Sequence, residues 1–454
     1  MTAIAPSPTL ADALRRRRER LAQLVNFPAV LWSGQPSPRN FPANVYPFRA
    51  SSHFLYFAGL PLMNTAIRLD GGRLTLFMDE STPAAALWHG PTPTRADIAT
   101  DMGADAAYPL SELGEHLSGV ATVAVQDSTT AAAQLTARGV VNPAQDRALA
   151  EAIVQLRLTN DAAAIAEIRR AAQVSVQAHR AGMAATQAGH TEANVRAAME
   201  AVIMAQGMTT AYNSIVTVHG EVLHNEHYHH VLQAGDLLLA DVGAEAATSW
   251  ASDITRTWPV TGQFSATQRD VYDIVLAAHD ACIEAAQPGV EYRDLHLLAS
   301  RILAAGLVEL GILRGEPESL VEQDAHALFF PHGVGHLLGL DVHDMEDLGD
   351  LAGYASGRMR SDRFGLGFLR LDRPLQAGMI VTIEPGFYQV PGILQDPQMR
   401  DHYAAVVNWE RLAQFQDVRG IRIEDDVLIT LTGSEVLTAA LPTRAPEIEA
   451  MVKG

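Results

Sequence analysis

Four carboxylates in the second half of the sequence stand where the surrounding residues predict buried β-strands. Asp241 follows LLLA, Glu384 follows IVTI, Glu424 follows GIRI, and Asp253 lies in the alternating stretch TSWASDITRTWPV. Asp and Glu are rarely fully buried without a partner, because an unpaired buried charge is very costly. Nearby arginines could pair with them one by one. For all four together, shared metal ions are the favoured interpretation, since cations let several oxygens converge.

Three histidines occur close together in the glycine-rich segment PHGVGHLLGLDVHD, at positions 332, 336 and 343. A carboxylate-rich site with one imidazole suits manganese, cobalt or zinc. Two such ions side by side can activate a water molecule for attack on a carbonyl. The residue types therefore predict metal-assisted hydrolysis.

The segments that carry these residues occur in a fixed order: LLADVGAEAATSWASDITRTWPV, PHGVGHLLGLDVHD, MIVTIEPGFY and GIRIEDDVLIT. In order and spacing they resemble the metallopeptidases of the pita-bread fold, which include methionine aminopeptidase, aminopeptidase P and prolidase. The resemblance covers roughly residues 158 to 440. The front of the chain resembles the creatinase-type N-terminal domain of prolidase and aminopeptidase P.

The resemblance implies two α/β domains, a creatinase-type N-terminal domain over 1–157 and a pita-bread catalytic domain over 158–454. It also implies two divalent metal ions per subunit, manganese in first place with zinc or cobalt as alternatives. Asp241 would be a terminal ligand of one metal. Asp253 and Glu424 would bridge both, and His336 and Glu384 would complete the second.

The same resemblance gives roles to the residues around the metals. A hydroxide between the two metals would be the nucleophile, and Glu384 would act as general base and then acid. His343 and His224 would donate hydrogen bonds to the carbonyl oxygen or the tetrahedral intermediate. The remaining assignments place His332 and Tyr212 at the substrate and Arg422 behind a bridging carboxylate.

Arg370, in LRLDRPLQAG, bears on the choice of substrate. A dipeptide has a free carboxylate close to the scissile bond, which an arginine can grip with two hydrogen bonds. Arg370 stands where prolidases carry such an arginine, although it could instead pair with Asp362 or Asp372 on the surface. The predicted activity is hydrolysis of Xaa-Pro dipeptides.

Other activities stay open at this stage. The main alternative is an aminopeptidase P that removes the first residue from longer Xaa-Pro peptides. Organophosphorus acid anhydrolase activity and a non-catalytic binding role are weaker alternatives, the last because fold alone never proves function. Methionine aminopeptidases are disfavoured, because they usually lack a front domain.

Trp88, in AAALWHG, stands where prolidase front domains present a tryptophan to the active site of a neighbouring subunit. The resemblance therefore implies a homodimer whose pockets are built from two chains. The alternative is a partly buried aromatic ring beside Leu87.

The elements that must position these residues change along the chain. From about Trp32 to Val125, short apolar runs alternate with turns, and Gly71-Gly72 predicts a tight hairpin. Alanine-rich helices then follow, one of them running from a Thr191 cap to Gly207. After residue 210, the predicted strands return with two further helices between them.

The net charge of −19 argues against nucleic acid as a partner. The one basic run, Arg15 to Arg18, is better explained as the solvated face of an amphipathic helix than as a nucleic-acid arm. There is no apolar run of membrane-spanning length, and the N-terminal segment MTAIAPSPTL lacks the hydrophobic stretch of a signal peptide. We therefore expect a cytoplasmic protein with no membrane partner.

Overall fold

The computed structural model describes residues 8–453, so most of the N-terminal segment MTAIAPSPTL lies outside the described residues. The chain divides into two compact units, with the division between Ala163 and Ala164. Each unit contains both helices and strands, which confirms the predicted mixed α/β class. None of the helices over residues 8–453 combines the length and the apolar character that crossing a bilayer requires.

The first unit is built around a four-stranded sheet. Its helices are α1 (Pro8–Leu24), α2 (Ser52–Ala58), α3 (Pro83–His89), α4 (Arg95–Met102), α5 (Ser128–Arg138) and α6 (Pro143–Arg157). Its strands are β1 (Ala29–Trp32), β2 (Pro38–Phe41), β3 (Asn44–Val45), β4 (Ala66–Asp70), β5 (Arg73–Phe77) and β6 (Ala106–Tyr108). The four-stranded sheet has the order β1-β4-β5-β6. Gly71 and Gly72 join β4 to β5 with φ angles of 57° and 83°, which confirms the predicted hairpin.

The basic run in α1 is not a uniformly solvated face. Arg17 and Arg18 are 2% and 4% exposed, so this part of the sequence interpretation is wrong. Arg17 forms an ion pair with Asp161 at 2.8 Å, and Arg18 donates to the carbonyl oxygen of Met102 at 3.0 Å. Because these partners are distant in sequence, the helical pattern alone could not separate the buried arginines from the exposed ones.

The second unit begins within a long helix. Its helices are α7 (Ala162–Ala185), α8 (Glu192–Ala205), α9 (Ala266–Ala285), α10 (Tyr292–Glu309), α11 (Pro317–Glu322), α12 (Asp350–Gly353), α13 (Pro391–Leu394), α14 (Pro397–His402), α15 (Trp409–Leu412) and α16 (Ala445–Lys453). Thr191 caps α8 in a capping box with Asn194, so the predicted start of that helix is confirmed.

Short antiparallel strands of the second unit position the carboxylates. They are β7 (Thr209–Thr210), β8 (Ile215–Thr217), β9 (Leu237–Asp241), β10 (Ala244–Glu245), β11 (Thr255–Pro259), β12 (Ile380–Ile383), β13 (Gly386–Tyr388), β14 (Gly420–Arg422), β15 (Asp425–Ile429) and β16 (Ser434–Val436). Two three-stranded sheets have the orders β11-β9-β8 and β12-β15-β16, and β13 pairs with β14. Asp241 lies opposite Thr255, as expected if the two segments form adjacent strands.

Two segments predicted as continuous strands are interrupted at their carboxylates. Glu384 follows the last residue of β12, and Glu424 precedes the first residue of β15. Pro385 has no backbone N–H to give to a ladder, so the first strand breaks there. The N–H of Glu424 instead donates to the carbonyl oxygen of Thr255 at 3.1 Å. The carboxylates therefore lie at strand ends, where they can leave the ladder and face a common cavity.

Candidate metal centre and substrate cavity

The predicted metal ligands line a single cavity of about 560 Å³ in the second unit. One ligand atom from each of Asp253, His336 and Glu424 lies within 4.8 Å of the others. Asp241 and Glu384 line the same cavity. We call these five residues, Asp241, Asp253, His336, Glu384 and Glu424, the floor of the cavity. Carboxylates with one imidazole form a donor set that fits divalent transition metals.

The imidazole of His336 is oriented toward the carboxylates. Its Nδ1 donates to the carbonyl oxygen of Leu337 at 3.0 Å, which leaves Nε2 as the lone-pair nitrogen. Nε2 lies 3.5 Å from carboxylate oxygens of both Asp253 and Glu384. Burial lowers the pKa of His336 and so favours the neutral ring that a metal requires.

The floor carries more negative charge than the surrounding protein compensates. Burial and the nearby Asp241 carboxylate raise the pKa of Asp253 to about 8. Burial also raises the pKa of Glu384 to about 7, and burial together with Asp253 raises the pKa of Glu424. Such a cluster is stabilised in its ionised form only by added positive charge, which is what bound cations supply.

Arg422 is the arginine that does contact the floor. Its Nη2 pairs with Asp241 at 2.5 Å, while its Nε lies 4.0 Å from Glu424 and donates to Thr255 at 3.0 Å. Arg422 thus contacts the predicted terminal ligand more closely than a predicted bridging one. Arg256, the other arginine considered as a partner, is buried and pairs with Asp425 at 2.8 Å.

Tyr212 lies among the floor carboxylates and is not one of the residues that line the cavity. Its hydroxyl is within hydrogen-bonding distance of Oδ1 of both Asp241, at 2.5 Å, and Asp253. Burial and these two carboxylates raise the pKa of Tyr212 well above its usual value. Its placement favours a role in orienting the two aspartates over the predicted direct contact with substrate.

His332 lines the cavity, but both of its ring nitrogens are engaged. Nδ1 donates to the carbonyl oxygen of Gly333 at 2.8 Å, and Nε2 lies 2.8 Å from the hydroxyl of Tyr388. That hydroxyl also accepts from Arg422 at 3.0 Å. Burial lowers the pKa of His332 to about 3, so the ring is neutral. The residue presents an uncharged wall to a substrate.

Four further residues line the same cavity, His224, His343, Glu346 and Arg370, which we call the rim. The side chains of His343, Glu346 and Arg370 are 31%, 47% and 34% exposed, and His224 is exposed as well. Nδ1 of His343 donates to Glu346 at 2.5 Å. The neutral ring therefore presents Nε2 as an acceptor, and the donating role predicted for His343 requires a second proton.

Arg370 contacts Glu346 rather than the aspartates that the sequence suggested as surface partners. Asp372 is fully buried and pairs with Arg293 and, at 2.8 Å, with Arg358. The guanidinium of Arg370 lines the cavity that contains the floor. Arg370 is a third exposed and could bind an anionic group of a ligand in place of Glu346.

Two glutamates near the cavity were missed by the sequence reasoning. Glu346 follows His343 by three residues, a spacing that could have suggested the contact. Glu192 is fully buried at the start of α8 and binds both ends of the loop that carries His224. It accepts from the backbone N–H of Val218 at 2.8 Å and from Nδ1 of His230 at 2.9 Å. No local signal marks that role.

Trp88 lies in the first unit on α3, a helix with no buried residue. Trp88 and its neighbour Leu87 are each 81% exposed, so the alternative of a partly buried ring is wrong for the single chain. The two residues form an exposed apolar pair. The homodimer stays a prediction.

Comparisons with known proteins agree with this architecture. Residues 166–431 match the model of metallopeptidase family M24, and residues 14–127 match the N-terminal domain of aminopeptidase P. A human Xaa-Pro dipeptidase is 32% identical, covering 98% of this chain and 94% of its own. An Xaa-Pro aminopeptidase of Escherichia coli is 30% identical, covering 96% of each chain.

A solved structure of the aminopeptidase PepP from Pseudomonas aeruginosa superposes with a TM-score of 0.83 at 30% identity, covering 99% of each chain. The predicted pita-bread fold with its N-terminal domain is therefore confirmed. The relatives include both dipeptidases and aminopeptidases, at similar identity. The chain belongs to metallopeptidase family M24, in the group of Xaa-Pro dipeptidases and Xaa-Pro aminopeptidases.

Proposed function

We propose that the protein is an Xaa-Pro dipeptidase that uses two divalent metal ions held by the floor. One observation carries the dipeptide specificity: Arg370 lines the same cavity as the buried carboxylates and is a third exposed. A dipeptide substrate places its carboxylate one residue beyond the scissile bond. Arginine is well suited to bind such a group through paired hydrogen bonds.

In this proposal Asp241 would bind one metal, His336 and Glu384 would bind the second, and Asp253 and Glu424 would bind both. Manganese is the first choice because oxygen donors predominate, with zinc and cobalt as alternatives. When bound, the ions would supply a water molecule of lowered pKa and a Lewis acid for the scissile carbonyl.

Glu384 is the proposed proton carrier. Its carboxylate lines the cavity beside the other proposed ligands, where it can take a proton from a water molecule and return it to the leaving group. The leaving group needs that proton, because the proline nitrogen of a tertiary amide has no hydrogen of its own. His224 is the proposed donor to the carbonyl oxygen. His343 would contact the substrate through Nε2, and His332 would form an uncharged wall for the proline ring.

The second candidate is an aminopeptidase P that acts on longer Xaa-Pro peptides. It is favoured by the contact between Glu346 and Arg370, which neutralises the proposed carboxylate anchor in the free protein. The cavity of about 560 Å³ also has room for more than two residues. Cleavage of organophosphorus compounds and a non-catalytic binding role have no comparable observation in their favour.

The deciding experiment uses protein reconstituted with Mn²⁺ and compares release of leucine from Leu-Pro and from Leu-Pro-Gly, with and without Arg370→Ala. We expect Leu-Pro to be the better substrate, and we expect the substitution to raise its KM more than it lowers kcat. Preference for Leu-Pro-Gly, with no selective effect of Arg370→Ala, would favour the aminopeptidase. Failure to cleave either peptide with Mn²⁺, Zn²⁺ or Co²⁺ would contradict both.

The exposed pair Leu87 and Trp88 is the surface that we propose for the homodimer. Sedimentation of the parent and of Trp88→Ala would test it. The cytoplasmic location stays a prediction from the sequence.

A further inference from the structure

One rim carboxylate has two partners. Oε2 of Glu346 accepts from Nδ1 of His343 at 2.5 Å, and Oε1 of Glu346 pairs with Nη1 of Arg370. The His343 contact and the Arg370 contact together lower the pKa of Glu346 to about 2. Glu346 is therefore ionised near neutral pH and neutralises the guanidinium of Arg370.

The backbone holds Glu346 in this position. Met345 precedes it with a φ of 60°, a region that residues other than glycine seldom occupy, and its side chain is fully buried. The carboxylate of Asp344 accepts from the N–H of Asp341 at 3.1 Å and so closes the preceding turn. A side chain at Gly339 would collide with that carboxylate, at 2.6 Å. The turn thus directs Glu346 toward the rim.

Arg370 is held by a different part of the chain. The N–H of Asp372 donates to the carbonyl oxygen of Gly353 at 2.9 Å, and a Cβ atom at Gly353 would lie 2.2 Å from the carbonyl oxygen of Arg370. The two segments therefore pack backbone against backbone. The meeting of Glu346 and Arg370 follows from two independently anchored segments rather than from one flexible loop.

We propose that Glu346 is a specificity-determining residue that competes with the substrate's free carboxylate for Arg370. A dipeptide must displace Glu346 from the guanidinium before its own carboxylate can bind there. A longer peptide has an amide at that position and does not need this exchange. Glu346 thereby weakens the binding of dipeptides selectively. It raises the preference of the cavity for longer peptides relative to dipeptides. This inference rests on the proposed hydrolysis of Xaa-Pro bonds.

A second arginine at the cavity does not share this arrangement. Arg360 also lines the cavity, but it pairs with Asp350 through Nε at 3.1 Å and Nη2 at 2.7 Å. Loss of the Glu346 carboxylate therefore frees Arg370 and leaves Arg360 paired. The effect of Glu346 on selectivity is expected to depend on Arg370.

The test is a cycle of Glu346→Gln, Arg370→Ala and the double variant in the Mn²⁺-loaded enzyme, with KM and kcat measured for Leu-Pro and Leu-Pro-Gly. Glutamine keeps an oxygen that can accept from His343. It loses the charge that pairs with Arg370, because its NH2 group is a donor and would face the N–H donors of the guanidinium. We expect Glu346→Gln to lower KM for Leu-Pro by about fivefold, the factor that corresponds to about 1 kcal/mol for a partly exposed ion pair. KM for Leu-Pro-Gly should fall by less than about twofold, because the longer peptide does not compete with Glu346 for Arg370.

In the Arg370→Ala background, Glu346→Gln should no longer change the ratio of kcat/KM for the two peptides. Asp347→Asn removes the same charge from the exposed neighbouring residue and serves as the matched control. An equal fall in KM for Leu-Pro in Asp347→Asn would overturn the inference and leave the proposed function intact. A fall that persists in the Arg370→Ala background would do the same. A parent enzyme that cleaves neither peptide would overturn the proposed function and this inference with it.

Discussion

The floor of the cavity holds carboxylates whose side chains are at most 15% exposed, whereas the rim holds charged side chains that are a third to a half exposed. Asp253 and Glu424 in the floor are 5% and 1% exposed. Glu346 and Arg370 in the rim are 47% and 34% exposed. Charge repulsion is strong in the floor and is not relieved by solvent, while each rim charge has an opposite partner and water nearby. We therefore expect substitutions in the floor to change metal binding and turnover, and substitutions in the rim to change selectivity.

The largest expected effect is the loss of kcat when the proposed proton carrier of the floor, Glu384, is replaced. Glu384→Gln keeps the size of the side chain but removes the proton carrier, so kcat should fall by at least about 10³-fold. Circular dichroism should show an unchanged fold, and equilibrium dialysis should report how much Mn²⁺ the variant retains. Glu346→Gln in the rim is the matched control and should retain most of its turnover. A Glu384→Gln enzyme with near-parent kcat would remove this residue from the mechanism.

Removal of metal tests the charge imbalance of the floor. At 100 times its Kd, a ligand stabilises the folded state by about 2.7 kcal/mol, and each kcal/mol shifts Tm by about 2–4 °C in a domain of about 150–250 residues. We therefore expect a chelator to lower Tm by at least about 5 °C.

Asp253→Asn provides the matched variant for that measurement. It should raise Tm of the metal-free protein, because one of the crowded carboxylates is gone, and it should abolish most of the gain on adding Mn²⁺. Asp347→Asn, at an exposed residue outside the floor, should change neither value. A metal-free Asp253→Asn protein that is less stable than the parent would contradict the argument that the floor is electrostatically strained.

The loop that carries His224 makes the rim depend on a buried group. Glu192 binds the chain before the loop at Thr217 and Val218, and after it at His230. Glu192→Gln should loosen both ends and lower kcat/KM by about tenfold, the effect of losing one or two hydrogen bonds to a charged group. In a His224→Ala background the further loss should be much smaller, because the loop no longer positions a functional ring.

Glu226 lies exposed on the same loop, so Glu226→Gln is the control. Hydrogen exchange of residues 218–230 supplies a readout that is independent of turnover. Unchanged exchange in Glu192→Gln would show that this carboxylate does not hold the loop.

The last expected effect concerns stability alone and the neutral imidazoles packed behind His332. The ring of His296 lies 5.3 Å from that of Phe330, which in turn lies 5.0 Å from that of His332. Burial lowers the pKa of His296 from 6.5 to about 3 and that of His326 from 6.5 to about 4. Both rings stay neutral in the folded state while the unfolded chain takes up protons. Their contribution to the free energy of unfolding is therefore complete above pH 6.5 and is lost as the pH falls toward 4.

Urea unfolding of the metal-free protein at several pH values in that range checks this prediction. His296→Phe should make the loss of stability shallower by about 1.4 kcal/mol per pH unit. His402→Gln, which changes an exposed ring, should leave the slope unchanged. A slope in His296→Phe equal to that of the parent would mean that His296 is not a buried neutral group.

The sequence by itself determined the class of fold, the order of the functional segments and the main helices. These features depend on short-range patterns, such as the Thr191 cap of α8 and the two glycines between β4 and β5. It also singled out five floor residues that the structure brings together around one cavity. Carboxylates within apolar segments are conspicuous because burial of a charge requires a reason.

Only the tertiary structure decided which groups face one another. The resemblance placed Arg422 behind a bridging carboxylate, whereas the structure pairs it with Asp241. Local patterns also did not indicate that Glu346 contacts both His343 and Arg370, or that Glu192 binds the loop of His224. They also placed Glu384 and Glu424 within strands that break at those residues. Each of these contacts joins segments that tertiary packing brings together. The pairing of charges depends on distances of a few ångströms in space, and local residue patterns do not encode such distances.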